Sequence, residues 1–534
     1  MKQFLAWILY AASVTPTTVL TPGMSLERAL GPADEHVYTV EMQSGMAITG
    51  EADQDGVDLV VDIYGPDGNR LKQIDSPNGT SGPESIDYTA LHDGVYKLVV
   101  HPLRNDVPAG KYVMKIDRLF PAAENAERLA AERYPPPIFS LWKAQRTDPR
   151  AVEAFIAERK GKGPIVANIS GDDANVRVTY VYRGDESTEA VRVTGGPHAA
   201  AGGMLMSRFM KTPLFYASAI VPKDARYRYG FTEIKRTAVG PNDIVDVSEE
   251  IQAIDTLNPE TFGGLSVIVM PNAPPQPYIV KNAALPAGTL TMKSIHSATL
   301  NEERPVGIYT PPGYDDPRSG ACDLLILFDG TLYGTASGTS AANTPAPTIL
   351  DNLIASKKIG PTIALLIDNL PGRRTQDLRF SDAFGDFVAT ELVPWARSNY
   401  RIKEGPAHVV VGGSSYGGLA ASYIAFRHSA IIGNVLSLSG SYWANRGTDV
   451  PPQLPYSAEH GLTIELFRES ERLPIRYYLA IGRFDSGVFT NRELRDVLLT
   501  KGYTVTYDEF DGGHDHISWR GSLADGLIAL IGAR

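Results

Sequence analysis

After Thr289 the chain runs through a series of apolar segments: PVGIYTPPGY, DLLILFDG, TIALLIDN, AHVVVGG, GNVLSLSG and IRYYLAIG. They are near-continuous rather than alternating, and stretches of helical pattern such as FGDFVATELVPWARSNY and YGGLAASYIAFRH lie between them. A strand that is apolar on both faces must be covered on both faces. Parallel sheets flanked by helices meet that requirement. The pattern predicts an α/β domain over residues 279–534.

Within this series, Gly413-Ser414-Ser415-Tyr416-Gly417 follows the strand HVVVG and opens the helix YGGLAASYIAF. A serine at a sharp strand-to-helix turn projects its hydroxyl beyond the sheet, and flanking glycines permit the strained backbone and close approach. The five-residue pattern is weak alone; a strand before it and a helix after it make it strong. A serine hydroxyl needs a base to take its proton, and the base needs an acid to hold it. For such a turn the chain order is serine, acid, histidine.

Downstream lie His428, His460, His514 and His516. His514, in the Gly-rich loop FDGGHDHISW after the strand VTYDEF, is the predicted base. His516 is its competitor, and His428 and His460 are expected to face solvent. Asp485, in GRFDSG after YYLAIG, is the predicted acid; Asp515 is the rival, and a dyad without a coupled acid is the third arrangement. An oxyanion would be held by the backbone N–H of Tyr416, where the helix dipole favours negative charge. A second N–H is expected from Gly330 or Thr331, in the loop after DLLILFDG. The chemistry predicted is ester hydrolysis by a serine carboxylic-ester hydrolase, with no metal and no cofactor.

The first part of the chain differs. From Glu35 to Leu119 short two-fold alternations (HVYTVEM, VDLVVDIYGPDG, VYKLVVHPL, KYVMKID) are separated by turn signals such as Gly65-Pro66-Asp67-Gly68. They predict a β-sandwich over residues 24–119. Asp53, Asp55, Asp58 and Asp62 are expected on a solvated strand edge. Residues 120–162 carry Ala, Glu and Arg at helical spacing, as a helical connector would. Strands return over residues 163–278, a second all-β module ending in the Pro-rich run 272–277, which reads as a linker.

At 534 residues the chain exceeds one hydrophobic core. A formal net charge of −11 argues against nucleic-acid binding, which needs a basic face. The single cysteine, Cys322, permits no intrachain disulfide and reads as a small residue at a strand start. Lys2 and the apolar run Phe4–Val14 have the layout of a secretory signal peptide, assigned to residues 1–23, although a buried N-terminal segment is the alternative. The run is too short to span a membrane, and no later stretch reaches spanning length without charges. The expected location is periplasmic or secreted, cytoplasmic if the segment is no signal.

The elbow and its helix, VVVGGSSYGGLAASYIAF, running on to VLSLSGSYW, resemble the enterochelin (enterobactin) esterase family. So do the ending Gly512-Gly513-His514-Asp515 through Trp519-Arg520, the segments LFDG and ALLID, and Arg374-Thr-Gln-Asp377-Leu378. Asp255-Thr-Leu-Asn258-Pro259 and APPQP in the second β module also resemble that family, and the front strands resemble pre-peptidase C-terminal domains. The resemblance implies an α/β-hydrolase catalytic domain preceded by two smaller all-β sandwich-like modules. It implies Ser415 as nucleophile, His514 as base and Asp485 as acid, acting on a ferric catecholate siderophore trilactone. It makes Arg374 and Trp443 substrate-binding candidates. A local Arg374–Asp377 ion pair and simple packing of Trp443 are the structural alternatives, and Arg373 and Arg379 are expected to be exposed. Ala444 stands where the family often has a second aromatic. Related feruloyl and acetyl esterases of carbohydrates share the elbow, which leaves such an ester as the alternative substrate. A binding protein on an inactive hydrolase fold is disfavoured by the intact serine, acid and histidine.

Overall fold

The computed structural model describes residues 17–104, 106, 108–236, 248–335, 344–446 and 461–532. Residues 1–16, which carry most of the expected signal peptide, and His460 lie outside the described residues. The chain forms two compact units, residues 1–148 and 149–534.

The first unit is a β-sandwich. One sheet orders the strands Thr18–Val19, His36–Met42, Gly94–Pro102, Leu59–Tyr64 and Arg70–Ile74; the other orders Ser25–Leu30, Gly110–Phe120, Ala47–Asp55 and Ser81–Thr89. Their inward residues, among them Tyr38, Val61, Leu98, Tyr112 and Met114, form one buried core. The sandwich begins before residue 24, because Thr18–Val19 pairs with Tyr38–Thr39 and Leu20 is buried. Asp62 is not on a solvated edge: it is buried and paired with Arg70 (3.1 Å) and His101 (3.3 Å). The expected connector is divided between the units. Helices Ala122–Arg133 and Pro136–Gln145 belong to the first, where buried Asn125 donates to Gly45 O and Thr89 Oγ1, both at 3.0 Å.

The second unit holds the other β module and the α/β domain together. The module packs two sheets around Tyr180, Val193, Phe215, Tyr227 and Phe231. Its Pro-rich end is no free linker, since Gln276 Nε2 donates to Ile517 O at 2.9 Å and Gln276 Oε1 accepts from Arg520 Nε at 2.8 Å.

The α/β domain is built on eight strands: β1 (Thr289–Ser297), β2 (Glu302–Thr310), β3 (Asp323–Phe328), β4 (Thr362–Ile367), β5 (Val409–Ser414), β6 (Asn434–Leu438), β7 (Arg476–Gly482) and β8 (Thr504–Phe510). They lie in the order β1-β2-β4-β3-β5-β6-β7-β8. From β4 to β8 every pairing is parallel; β1 and β2 are antiparallel additions, so PVGIYTPPGY is not part of the parallel run. Continuous apolarity has the predicted consequence. Ile326, Val411, Val435 and Leu479 face one core with the helix Tyr416–Arg427, while Leu327, Val410, Leu436 and Ala480 face another with the helix His516–Ile531. Each of the larger side chains, fully buried, stabilises the fold by roughly 1.5–3 kcal/mol. Cys322 is buried beside β3, and burial pushes its thiol up to about 11, so it is no ready thiolate.

Candidate active site

Parallel strands bring their C-terminal ends to one edge, where loops are free to carry chemistry. Ser415 follows β5 there with φ 58° and ψ −120°, a conformation costing a side-chain-bearing residue about 1–3 kcal/mol. The surroundings impose it. Ser415 N–H donates to Leu438 O at 2.9 Å, its carbonyl accepts from Ser441 N–H at 3.2 Å, and the helix begins at Tyr416. A Cβ on Gly413 would lie 2.9 Å from Gly417 Cα, and one on Gly418 would lie 2.6 Å from Ser437 Oγ. The serine turn therefore requires small residues on both sides. The Ser415 and Ser441 hydroxyls are 3.3 Å apart.

His514 follows β8 and Asp485 follows β7, and the structure joins them: His514 Nδ1 is 2.7 Å from Asp485 Oδ2. With Nδ1–H donated to the carboxylate, a neutral imidazole carries its lone pair on Nε2, where a base is needed. Burial pushes the Asp485 carboxyl up, but His514, the Gly487 N–H at 2.9 Å and the Ser439 hydroxyl outweigh it, holding the acid below its ordinary range. Asp515 is engaged elsewhere. It caps the final helix by accepting from Ile517 N–H at 2.9 Å, it accepts from the Arg228 backbone of the β module, and burial raises its pKa. His516 is buried against Thr344 Oγ1 (2.8 Å); burial first, then the cationic Arg228, push it down to about 4. His428 is not a solvent group: it ends the elbow helix, 15% exposed, with Nε2 3.0 Å from Asp386.

Arg374 stands in the loop after β4, and its ion pair is not with Asp377. Its Nε and Nη2 reach Asp329 Oδ1 and Oδ2 at 2.6 and 2.8 Å, a bidentate pair, while Asp377 is taken by fully buried Arg304 at 2.7 Å. Asp329 is buried at φ 58° and also accepts from Asn369 at 2.5 Å. Arg374 thus fixes the loop that carries Gly330 and Thr331, whose hydroxyl donates to Asp368 at 2.7 Å. Its guanidinium also lies 5.6 Å from the Tyr416 ring centre, and that ring is 6.1 Å from half-buried Trp443. Arg373 and Arg379 are half-buried rather than exposed: the first pairs with Glu302 (3.5 Å), and the second donates to Asn445 O (2.6 Å).

Sequence reasoning missed Ser439, Ser441, Asn491 and Trp519. Asn491 Nδ2 donates to Gly440 O (2.8 Å) and Gly487 O (2.9 Å), tying the loop after β6 to the one that carries Asp485. The β module reaches the loops of His514 and Asp485, with Arg226 N–H donating to Asp511 O at 2.8 Å and Phe484 packed edge-on against Tyr227 at 5.8 Å.

A strand–turn–helix serine on a mostly parallel sheet, followed in chain order by an aspartate and its histidine, defines an α/β-hydrolase. The profile of the Esterase family matches residues 297–530. The iron(III) enterobactin esterase of Escherichia coli O6:H1 is 30% identical over 292 residues, covering 52% of this chain and 68% of that relative. The one from Dickeya dadantii is 28% identical over 401 residues, 67% of this chain and 88% of the relative. The crystal structure of ferric enterobactin esterase from Salmonella typhimurium superposes with a TM-score of 0.55 at 27% identity, over 70% of this chain and 97% of that one. The chain belongs to the enterobactin esterase family, and it is a carboxylic-ester hydrolase.

Proposed function

We propose that the chain hydrolyses the ester bonds of a ferric catecholate siderophore trilactone of the enterobactin type, through an acyl-enzyme on Ser415. The observation that carries the chemistry is the 2.7 Å contact between His514 and Asp485, on the sheet edge where Ser415 holds its left-handed turn. Ser415 Oγ attacks a lactone carbonyl carbon while His514 Nε2 takes its proton. The resulting oxyanion lies against the N–H of Tyr416 and that of Gly330 or Thr331. Collapse breaks the ester C–O bond, and the leaving alkoxide takes the proton from His514. Water, deprotonated by the same imidazole, then releases the acid.

The choice of substrate rests on the names of the relatives and on the side chains beside the serine. A ferric tris-catecholate is anionic and carries flat rings, which suits an arginine, a tyrosine and a tryptophan set side by side. Arg374 and Trp443 are the residues proposed to meet it. The apolar N-terminal segment supports export. No described helix is long and apolar enough to cross a membrane.

The test is chromatography of the products after incubation with ferric enterobactin and, separately, with feruloylated oligosaccharides. Ring-opened trimer and shorter acids are expected from the first, at rates well above ferulate release. Faster ferulate release would replace the siderophore with a carbohydrate ester as the substrate.

A further inference from the structure

Ser439 lies just beyond β6, buried, at φ 50°. Its N–H donates to Ala480 O at 2.7 Å, fixing the left-handed turn against the end of β7. Its oxygen accepts the indole N–H of Trp519 at 2.9 Å. A hydroxyl has one proton; with the indole on one of its lone pairs that proton is free for the Asp485 carboxylate, an acceptor only, whose pKa Ser439 helps to lower. Asn491 ties the two loops together through Gly440 O and Gly487 O. Trp519 meets the His514 ring edge-to-face at 4.8 Å. Trp519 therefore bridges Ser439 and His514, and His514 in turn holds Asp485.

We infer that Ser439, held by Trp519, is a positioning residue that fixes Asp485 and through it the basicity and orientation of His514. This rests on the proposed roles of Ser415, His514 and Asp485. A hydroxyl donating to the acid spreads the carboxylate charge and limits how strongly it stabilises an imidazolium. Without that hydroxyl the carboxylate is more basic, the imidazolium is favoured, and the base titrates at higher pH. Ser439 is buried and closed to substrate, so its loss should act on the rate rather than on substrate binding.

The experiment compares wild type, Ser439→Ala, Ser439→Gly, Trp519→Phe and Ser415→Ala on nitrophenyl butyrate across pH. Glycine adopts φ 50° without strain, so it separates loss of the hydroxyl from backbone strain. Expected for Ser439→Ala and Ser439→Gly alike are a kcat about tenfold lower, an unchanged KM, and an acid limb of kcat/KM moved up by roughly half a pH unit. Trp519→Phe, which keeps an aromatic ring and loses the N–H, should move the limb in the same direction by less. His516, at 4.8 Å on the same indole, and Asp515 are untouched by either Ser439 substitution, so the shift in those two variants belongs to the acid–histidine pair. An acid limb that stays put in both Ser439 variants, with Ser415→Ala inactive, would overturn this inference alone. Activity retained by Ser415→Ala would instead overturn the site assignment beneath it.

Discussion

Arg374→Ala tests whether the arginine after β4 is scaffold, substrate contact or both. Asp329 is 1% exposed, and two of its contacts are the charged hydrogen bonds from Arg374 at 2.6 and 2.8 Å. Removing the cation leaves a buried carboxylate supported by Asn369, and breaking a buried pair from one side costs about 3–5 kcal/mol. Arg374 is 38% exposed, so water can enter where it stood, and the lower figure, about 3 kcal/mol, is the expectation. Asp329→Asn should cost only about 1 kcal/mol, because the amide keeps an acceptor and the arginine can turn to solvent. In the D329N background no buried charge is orphaned, so adding Arg374→Ala should cost under about 1 kcal/mol, a coupling of roughly 2 kcal/mol. Urea unfolding of the four proteins gives the stability cycle, read on the transition of the 149–534 unit. The kcat/KM values for ferric enterobactin and nitrophenyl butyrate give the functional cycle. Additive stability losses would mean that the pair does not neutralise a costly buried charge. If, in the D329N background, Arg374→Ala reduces both substrates equally, the arginine does not touch the siderophore.

Asp485→Asn should lower kcat at least about a hundredfold, since an amide can hold the wrong imidazole tautomer. An unchanged rate would give the acid role to another group or to a dyad. His516 titrates lower folded (about 4) than unfolded (about 6.5), so the unfolded chain binds its proton first and stability falls as pH drops between those values. His516→Phe should flatten that part of a stability–pH curve, an effect of about 3 kcal/mol between its ends; an undiminished slope would refute it. Residues 149–534 expressed alone should fold and hydrolyse nitrophenyl butyrate, because the core of each unit is its own. Insoluble or inactive product would refute that.

The parts legible in sequence are those written in local patterns. Continuous apolar runs mark β3 to β7 because both faces are buried, and the glycines mark the serine turn because its backbone cannot form without them. β1 escapes such a reading because it is an edge strand, mostly exposed, with polar residues along TLTMKSIHS. The helices at 122–145 read as a connector because their spacing shows helix but not partner, and Asn125 reaching Gly45 is a contact to a strand turn far back in the chain. The same limit explains Arg374. Its spacing to Asp377 suggests an ion pair, whereas its partner, Asp329, stands just after the neighbouring strand β3. Ser439 and Ser441 belong to the string VLSLSGSYW, yet only the fold shows one acting on Asp485 and the other lying beside Ser415.

A covalent acyl-enzyme on Ser415 is the step on which the proposed chemistry stands. Rapid acid quench during turnover of a slow ester, followed by proteolysis and mass spectrometry, reads it directly. One acylated peptide containing Ser415 is expected, absent from Ser415→Ala and accumulating far more slowly in His514→Ala. Acyl groups on Ser441 or elsewhere, or full turnover by Ser415→Ala, would contradict it.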